Sequence, residues 1–157
     1  MDKGQGHRRI AYIAGPDRKA DANERLAGHK RALKEAGIAF DIKLFYQGDF
    51  TEVGGSQGLT HFIQQGVDFT ALVCGNDWMA SGAMSCARDL NIRMPEDLSI
   101  VGFDNVLFAH HVYPKLTTVN NPIDEMGAMA AKRLFNRIYK QTRDIRNEVE
   151  PTLGGPQ

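Results

Sequence analysis

The sequence has no excess of charge of either sign. Nineteen Lys and Arg residues balance nineteen Asp and Glu residues among 157, so the formal net charge is zero. Nucleic acids and anionic membranes are held by an excess of positive charge on the protein surface. We therefore expect no binding of DNA by this chain alone.

Cysteine is almost absent. The two cysteines, Cys74 and Cys86, fall in a predicted strand and a predicted helix without C-x-x-C spacing. This pattern predicts two buried thiols rather than a disulfide framework or a zinc site. The five histidines include no pair at a metal-ligand spacing. We therefore predict no metal. The sequence also has neither a complete dinucleotide fingerprint, since Gly4-Gln5-Gly6 lacks the third glycine, nor a Walker lysine, so we predict no cofactor.

Long apolar runs are missing as well. No stretch approaches the roughly 18 apolar residues that a membrane helix needs, and the first residues do not form an apolar leader. The sequence therefore predicts a cytoplasmic protein without membrane contacts.

Short apolar runs and helical patterns alternate along the first two thirds of the chain. The predicted strands are residues 10–14, 40–45, 71–74 and 98–103, and the helices between them include 23–36 and 79–90. The run 40–45 alternates most, which is typical of an edge strand. Four strand and helix alternations predict an α/β fold: a doubly wound parallel sheet in three layers, α-β-α.

The pattern changes after Phe103. A polar loop leads to a short predicted strand at 116–119 and then to a long helix from about 122 to 140. That helix has one apolar stripe and, in addition, Phe135 and Tyr139 on a second side. Two apolar sides predict two packing partners, one of them outside this chain.

Polar residues follow each predicted strand, at the edge of the sheet where ligands of open parallel sheets bind. They are Gly15-Pro16-Asp17, Gln47 to Phe50, Gly75 to Trp78, and Asp104-Asn105. Arg25 in the first helix lies at the same edge. An arginine, carboxylates, amides and aromatic faces suit a neutral, hydroxyl-rich or heterocyclic molecule. In the alternative interpretation, Asn76 and Asp77 only cap a helix and Asp104 only ends a strand.

One enzyme motif is present. Residues 54–58 fit G-x-S-x-G around Ser56, and Asp104 and His110 follow in the order of a hydrolase triad. The motif works only as a sharp turn directly between strand and helix, and several residues separate it from Gln47. We expect a flexible helix entry at these glycines and predict no enzyme, with a serine hydrolase as a remote alternative.

Several segments together resemble the LacI/GalR transcriptional repressors. They are Gly6 to Gly15, Arg25 to Gly28, Ala32-Leu33, Asn76 to Ala83, Pro95 to Asn105 and Leu116 to Val119. The resemblance extends in order from Gly6 to about Pro151. It implies an effector-binding domain with the periplasmic-binding-protein-like fold, which has two lobes.

The resemblance also implies a division of the chain. Residues 1–157 would be a fragment of the effector-binding domain, without the first lobe and without the DNA-binding helix-turn-helix. Within it, residues 7–119 would form the second lobe and 120–150 a crossover strand and helix that pack on the first lobe. Residues 151–157 would form a frayed tail.

Site residues follow position by position from the same resemblance. Arg25 would grip hydroxyl or carboxylate groups, Asp104 would accept hydrogen bonds, and Asn76 would orient the ligand. Phe50 would stack on it, and Asn121 would add a polar contact at the crossover between lobes. The implied effector is a sugar, a sugar phosphate or a nucleoside.

The implied assembly is a homodimer that contacts operator DNA only through a helix-turn-helix outside this chain. The helix 79–88 and the loop 107–113 would form the two-fold interface, and Met84 is the residue we expect to be critical there. Two alternatives of other classes are a stand-alone sugar-binding protein of the same fold and a module that only mediates dimerisation.

Overall fold

The computed structural model describes residues 6–139 and 152–154. The strands are β1 (Ile10–Ala14), β2 (Phe45–Gln47), β3 (Ala71–Cys74), β4 (Ser99–Asp104), β5 (Thr117–Asn120) and β6 (Thr152–Gly154). The helices are α1 (Ala20–Glu35), α2 (Glu52–Gln64), α3 (Asp77–Asp89) and α4 (Ile123–Tyr139). Two short 3-10 turns lie at Ile42–Leu44 and Leu107–His110.

The six strands form one sheet in the order β2-β1-β3-β4-β5-β6. The first five are parallel, and β6 is antiparallel to β5. The chain moves one way from β1 to β2 and the other way from β2 through β3 to β4. Right-handed crossovers then place α1 on one face of the sheet and α2 and α3 on the other. The predicted doubly wound, three-layer α/β fold is confirmed.

The core lies between the sheet and the pair α2 and α3. It contains Ile13, Leu59, Phe62, Leu72 and Met79, all fully buried. Cys74 and Cys86 are buried free thiols, as predicted. The second strand lies at the edge of the sheet, as predicted, although only Phe45 of the alternating run 40–45 belongs to it.

Glycines allow α2 and α3 to pack closely. A Cβ on Gly55 would lie 1.9 Å from the carbonyl oxygen of Met79, and one on Gly82 would lie 1.8 Å from that of Glu52. The G-x-S-x-G segment thus lies inside α2, which begins where the Thr51 hydroxyl accepts a hydrogen bond from the Gly54 amide. The predicted flexible entry is wrong, because these glycines are packing positions within a helix.

Two further expectations need correction. Residues 42–44 form a turn instead of a strand, because the Asp41 carboxylate accepts the Lys43 amide at 2.9 Å and caps that turn. The predicted frayed tail at 151–157 is wrong for residues 152–154. Their backbone pairs with β5, where Asn120 lies opposite Thr152. Residues 151 and 155–157 lie outside the described part of the chain.

The last helix differs from the others in its environment. No residue of α4 is buried, and most of its large apolar side chains are at least half exposed: Ile123, Met126, Leu134, Phe135, Ile138 and Tyr139. The predicted apolar surface is therefore present and uncovered within the described residues. None of the helices in residues 6–139 is long and apolar enough to span a lipid bilayer.

Candidate functional site

Arg25 lies at the centre of the carboxyl edge of the sheet. Its Nη1 donates to the carbonyl oxygen of Gly75 at 2.6 Å, and its Nη2 donates to Oδ1 of Asp104 at 3.1 Å. The Asp21 carboxylate, one turn earlier in α1, is 3.5 Å from the same Nη2. The Arg25 side chain is only 15% exposed and that of Asp104 18%. One guanidinium therefore joins α1 to the ends of β3 and β4.

Two aromatic rings contact the guanidinium. Cζ of Arg25 is 4.1 Å from the centroid of the Phe103 ring and 5.6 Å from that of Phe50. Both distances lie within the range of cation–π attraction. The Phe50 ring rests on Gly15, where a Cβ would come within 2.1 Å of the ring. Gly15 thus leaves room for this ring at the end of β1.

Asn76 holds the loop that carries Phe50. Its Oδ1 accepts the Met79 amide at 2.9 Å and caps α3, while its Nδ2 donates to the Phe50 carbonyl oxygen at 3.0 Å. Phe50 has a φ of 70°, a conformation that non-glycine residues rarely adopt. The buried amide of Asn76 therefore stabilises an unusual backbone as well as a helix end.

Asn121 joins the cluster from the segment between β5 and α4. Its Nδ2 donates to Oδ1 of Asp104 at 3.4 Å, a longer bond than the one from Arg25. Asp104 itself ends β4 with a φ of 115°. The carboxylate of Asp104 is therefore reached from the first helix and from the crossover after β5.

The structure brings all five predicted site residues into one connected cluster. Arg25, Asp104 and Asn121 are joined by hydrogen bonds, Phe50 contacts Arg25, and Asn76 contacts Phe50. The predicted helix cap is confirmed for Asn76, which also bonds to the Phe50 loop, but not for Asp77, which is the first residue of α3. Contact of these residues with a ligand stays a prediction.

Sequence reasoning missed two side chains of this site, the Phe103 ring and the Asp21 carboxylate. It placed Gly75 at this edge but gave its carbonyl oxygen no role. Only residues beyond the strand ends were considered, whereas Phe103 is the penultimate residue of β4. Asp21 was missed because α1 begins three residues earlier than predicted. Its position four residues before Arg25 was the available signal, since residues so spaced share a helix face.

Two other sequence features do not belong to this cluster. The Trp78 ring packs on Phe108, 4.5 Å between centroids, in the turn after β4. Ser56 lies in the interior of α2, not on a turn after a strand. Asp104 pairs with Arg25, so it does not orient a histidine as a triad would require. The described residues contain no group of three side chains suited to hold a metal ion.

The charges at this edge favour a neutral ligand with hydroxyl groups. Asp104 and Asp21 together outweigh the single positive charge of Arg25. A hydroxyl group can donate to a carboxylate and accept from a guanidinium, so it can use both kinds of partner at once. The faces of Phe50 and Phe103 add apolar surface for a ring.

Comparisons with known proteins agree with this architecture. The family described as "Periplasmic binding protein-like domain" matches residues 3–154. The HTH-type transcriptional regulator GalR of Escherichia coli (strain K12) is 41% identical over 150 residues, which cover 95% of this chain and 44% of that protein. The HTH-type transcriptional repressor PurR of Proteus mirabilis is 39% identical over the same share of each chain.

Solved structures give the same result. The Escherichia coli transcriptional repressor ascG superposes with a TM-score of 0.90 at 32% identity, over 96% of this chain and 55% of that one. The transcriptional regulator CelR in complex with cellobiose has a TM-score of 0.86 at 36% identity, over 96% and 46%. The chain thus spans about half the length of the relatives that it matches.

Proposed function

The chain belongs to the periplasmic binding protein-like domains of LacI/GalR-type transcriptional regulators, and from that premise we propose that it is the effector-sensing second lobe of such a regulator. The proteins of this family found by comparison are regulators and not enzymes. One observation supports the proposal most: the Arg25–Asp104 pair, flanked by two phenylalanine rings, lies at the sheet edge where ligands of this fold class bind.

The effector that this edge suits is a neutral sugar or nucleoside. Its hydroxyl groups would bond to Asp104 and Arg25, and its ring would lie on an exposed part of Phe50. A sugar phosphate fits less well, because Asp104 and Asp21 would both repel its charge. Cellobiose, the ligand of one structural neighbour, has the required chemistry.

Signalling would proceed by closure of two lobes over the effector. Asn121 lies at the crossover from β5 to α4 and contacts Asp104, so a ligand that moves Asp104 also acts on the crossover. In the longer regulator, closure would change how two subunits present their DNA-binding segments to an operator. Coupling of this kind is typically about 1 to 3 kcal/mol and acts equally in both directions.

Dimerisation would use the outer side of α3 and the segment that follows β4. Trp78 is 48% exposed, Leu107 78% and Tyr113 87%. Arg88 joins the two segments by donating to the Tyr113 carbonyl oxygen at 3.1 Å. Met84, which we expected to be critical at this interface, is 3% exposed and belongs to the core, so that expectation is wrong. We propose that Trp78, Leu107 and Tyr113, which are exposed, form the interface instead.

Isothermal titration calorimetry tests the sensor proposal. The chain is titrated with galactose, glucose, cellobiose, adenosine, guanine and inorganic phosphate. We expect saturable binding of one neutral compound and none of phosphate. Asp104→Asn should weaken that binding at least about tenfold, since it removes a charged acceptor worth more than 1.4 kcal/mol.

Asp68→Asn is the matched control, because Asp68 is highly exposed and contacts only Arg9 among the ion pairs of the described residues. It should leave the affinity unchanged. Failure of every neutral compound to bind, or equal affinity in Asp104→Asn and the unmodified chain, would contradict the proposal.

A further inference from the structure

A fully buried carboxylate lies next to the site. Asp77, the first residue of α3, is 0% exposed. Its Oδ1 accepts the Thr118 hydroxyl at 2.5 Å, and its Oδ2 accepts the Val106 amide at 2.9 Å. The carboxylate therefore joins α3 to β5 and to the segment that follows β4. The cluster of five site residues does not include it.

The residues around Asp77 provide both space and hydrogen-bond donors for its carboxylate. Gly102 in β4 provides the space, because a Cβ there would lie 2.1 Å from Oδ1 of Asp77. The Thr118 hydroxyl oxygen accepts the Asn105 amide at 3.2 Å, so its own hydrogen is available for Asp77. Burial raises the pKa of Asp77, and the hydrogen bonds from Thr118 and Val106 oppose that rise. A bare carboxylate is costly in such a place unless it is fully bonded.

The segment that Asp77 holds is conformationally unusual. Asp104 and Asn105 have φ values of 115° and 55°, in a region that residues with side chains rarely adopt. Such backbone persists only where the surroundings fix it. The amides of the two residues after Asp104 are bonded to Thr118 and Asp77 respectively. These bonds determine the direction in which β4 ends, and hence the direction of the Asp104 side chain.

We propose that Asp77 is a positioning residue of the effector site: with Thr118 it holds residues 104–106 so that Asp104 faces Arg25. Only the expected effect of Asp77 on ligand affinity rests on the proposed function. The geometry itself is tested without any ligand. Asp77 also lies on the helix that carries Trp78, so the same carboxylate links the site to the proposed dimer surface.

The test is NMR spectroscopy of the Arg25 guanidinium. Its two bonds, to Gly75 and to Asp104, restrict rotation and should give resolved Nη–H signals. Thr118→Val removes the hydroxyl at nearly constant volume and should average these signals. Thr118→Ser keeps the hydroxyl and should restore them. Gly102→Ala, which displaces the carboxylate without removing it, should behave like Thr118→Val.

A purely structural role gives a different result. Leu98 is buried and directly precedes the first residue of β4, at the end of the strand away from Asp104. Leu98→Ala should therefore lower the melting temperature but leave the Arg25 signals resolved. Asp77→Asn changes the proposed positioning residue itself. If this variant does not fold, the two Thr118 variants still test the proposal, because Thr118 donates to Asp77. Resolved Arg25 signals in folded Thr118→Val and Gly102→Ala would overturn the proposal.

Ligand titration separates this proposal from the function on which it builds. With the compound from the calorimetric panel that binds best, Thr118→Val should lower affinity at least about threefold and Thr118→Ser should not. If no compound binds, the proposed function fails while the guanidinium signals still decide the role of Asp77. Equal affinity in the two Thr118 variants would contradict the consequence for the ligand.

Discussion

At the scale of single residues, the same side chains have a structural role and a proposed binding role. Asn76 caps α3 with its oxygen and holds the Phe50 loop with its nitrogen. Arg25 bonds to a backbone carbonyl and to the carboxylate that we propose as the ligand acceptor. The two interpretations of these positions, helix capping and ligand binding, are therefore compatible. For a substitution at these positions, the stability of the variant must be measured as well as its affinity for the ligand.

His29 gives a residue-scale prediction for pH. Its ring stacks on the buried Tyr12, 4.5 Å between centroids, and burial lowers its pKa from 6.5 to about 4, with Lys30 as a smaller cause. Between these values the unfolded chain binds a proton that the folded chain does not, so stability falls as the pH drops from about 6.5 towards 4. We expect the melting temperature to decrease over this window.

His29→Phe keeps the stacked ring and removes the titration, so its melting temperature should decrease less between pH 7 and pH 5, measured by circular dichroism. His61→Phe is the matched control, since His61 also packs on a tyrosine but is exposed. It should retain the pH dependence of the unmodified chain. An identical decrease in all three proteins would show that His29 is not the titrating group.

At the scale of elements, the contact of α2 and α3 depends on glycine. Gly82→Ala would place a methyl group 1.8 Å from the Glu52 carbonyl oxygen, and backbone cannot move away cheaply. We expect a loss of about 1 to 3 kcal/mol in the free energy of unfolding, measured with urea. Gly28→Ala in α1 meets nothing within 4 Å and should gain about 0.5 to 1 kcal/mol. Equal effects of the two substitutions would argue against close packing as the reason for Gly82.

The proposed dimer surface also belongs to this scale, because it is formed by two segments, α3 and the segment that follows β4. Leu107→Asp places a charge on a residue that is exposed in the monomer, so it should weaken the dimer without unfolding the chain. Sedimentation velocity should show a shift towards the monomer. Val53→Asp, on another well-exposed apolar residue, this one in α2, is the control and should leave the mass unchanged. A monomer mass at every concentration of the unmodified chain would exclude the dimer.

Most elements followed from local patterns, and the exceptions have physical reasons. Continuous apolar runs predicted β1, β3 and β4; β1 and β3 are mostly buried, whereas all residues of β4 except Gly102 are only half-buried. β2 was misplaced because a single capping bond from Asp41 turns the preceding residues into a 3-10 turn. Met84 was misassigned because periodicity identifies an apolar face of a helix but not what covers it. Arg25, Phe50, Asn76 and Asp104 could be predicted from their positions in α1 or after a strand. Asn121 was predicted only from the family resemblance.

At the scale of the whole molecule, one part of the chain is complete as a packed unit and another is not. The sheet from β2 to β6 with α1, α2 and α3 encloses the core. Helix α4 buries none of its side chains, although its apolar face is large. Because the chain spans about half of its relatives, we propose that the remaining part of such a protein covers this face. The lobe should then fold without α4.

A deletion tests this independence. Asn120 pairs directly with Thr152, so removing residues 122–151 and inserting one glycine after Asn121 leaves a two-residue Asn-Gly hairpin between β5 and β6. Asn-Gly is the favoured sequence for such a turn. We expect cooperative unfolding within about 4 °C of the full chain, the shift that about 1 kcal/mol produces at this size, and weaker binding of an apolar dye. A chain that ends at Asn121 should be less stable, because the edge of β5 then loses β6. Loss of cooperative unfolding in the hairpin version would mean that α4 is part of the folding unit, and residues 7–119 with β6 could no longer be regarded as a lobe.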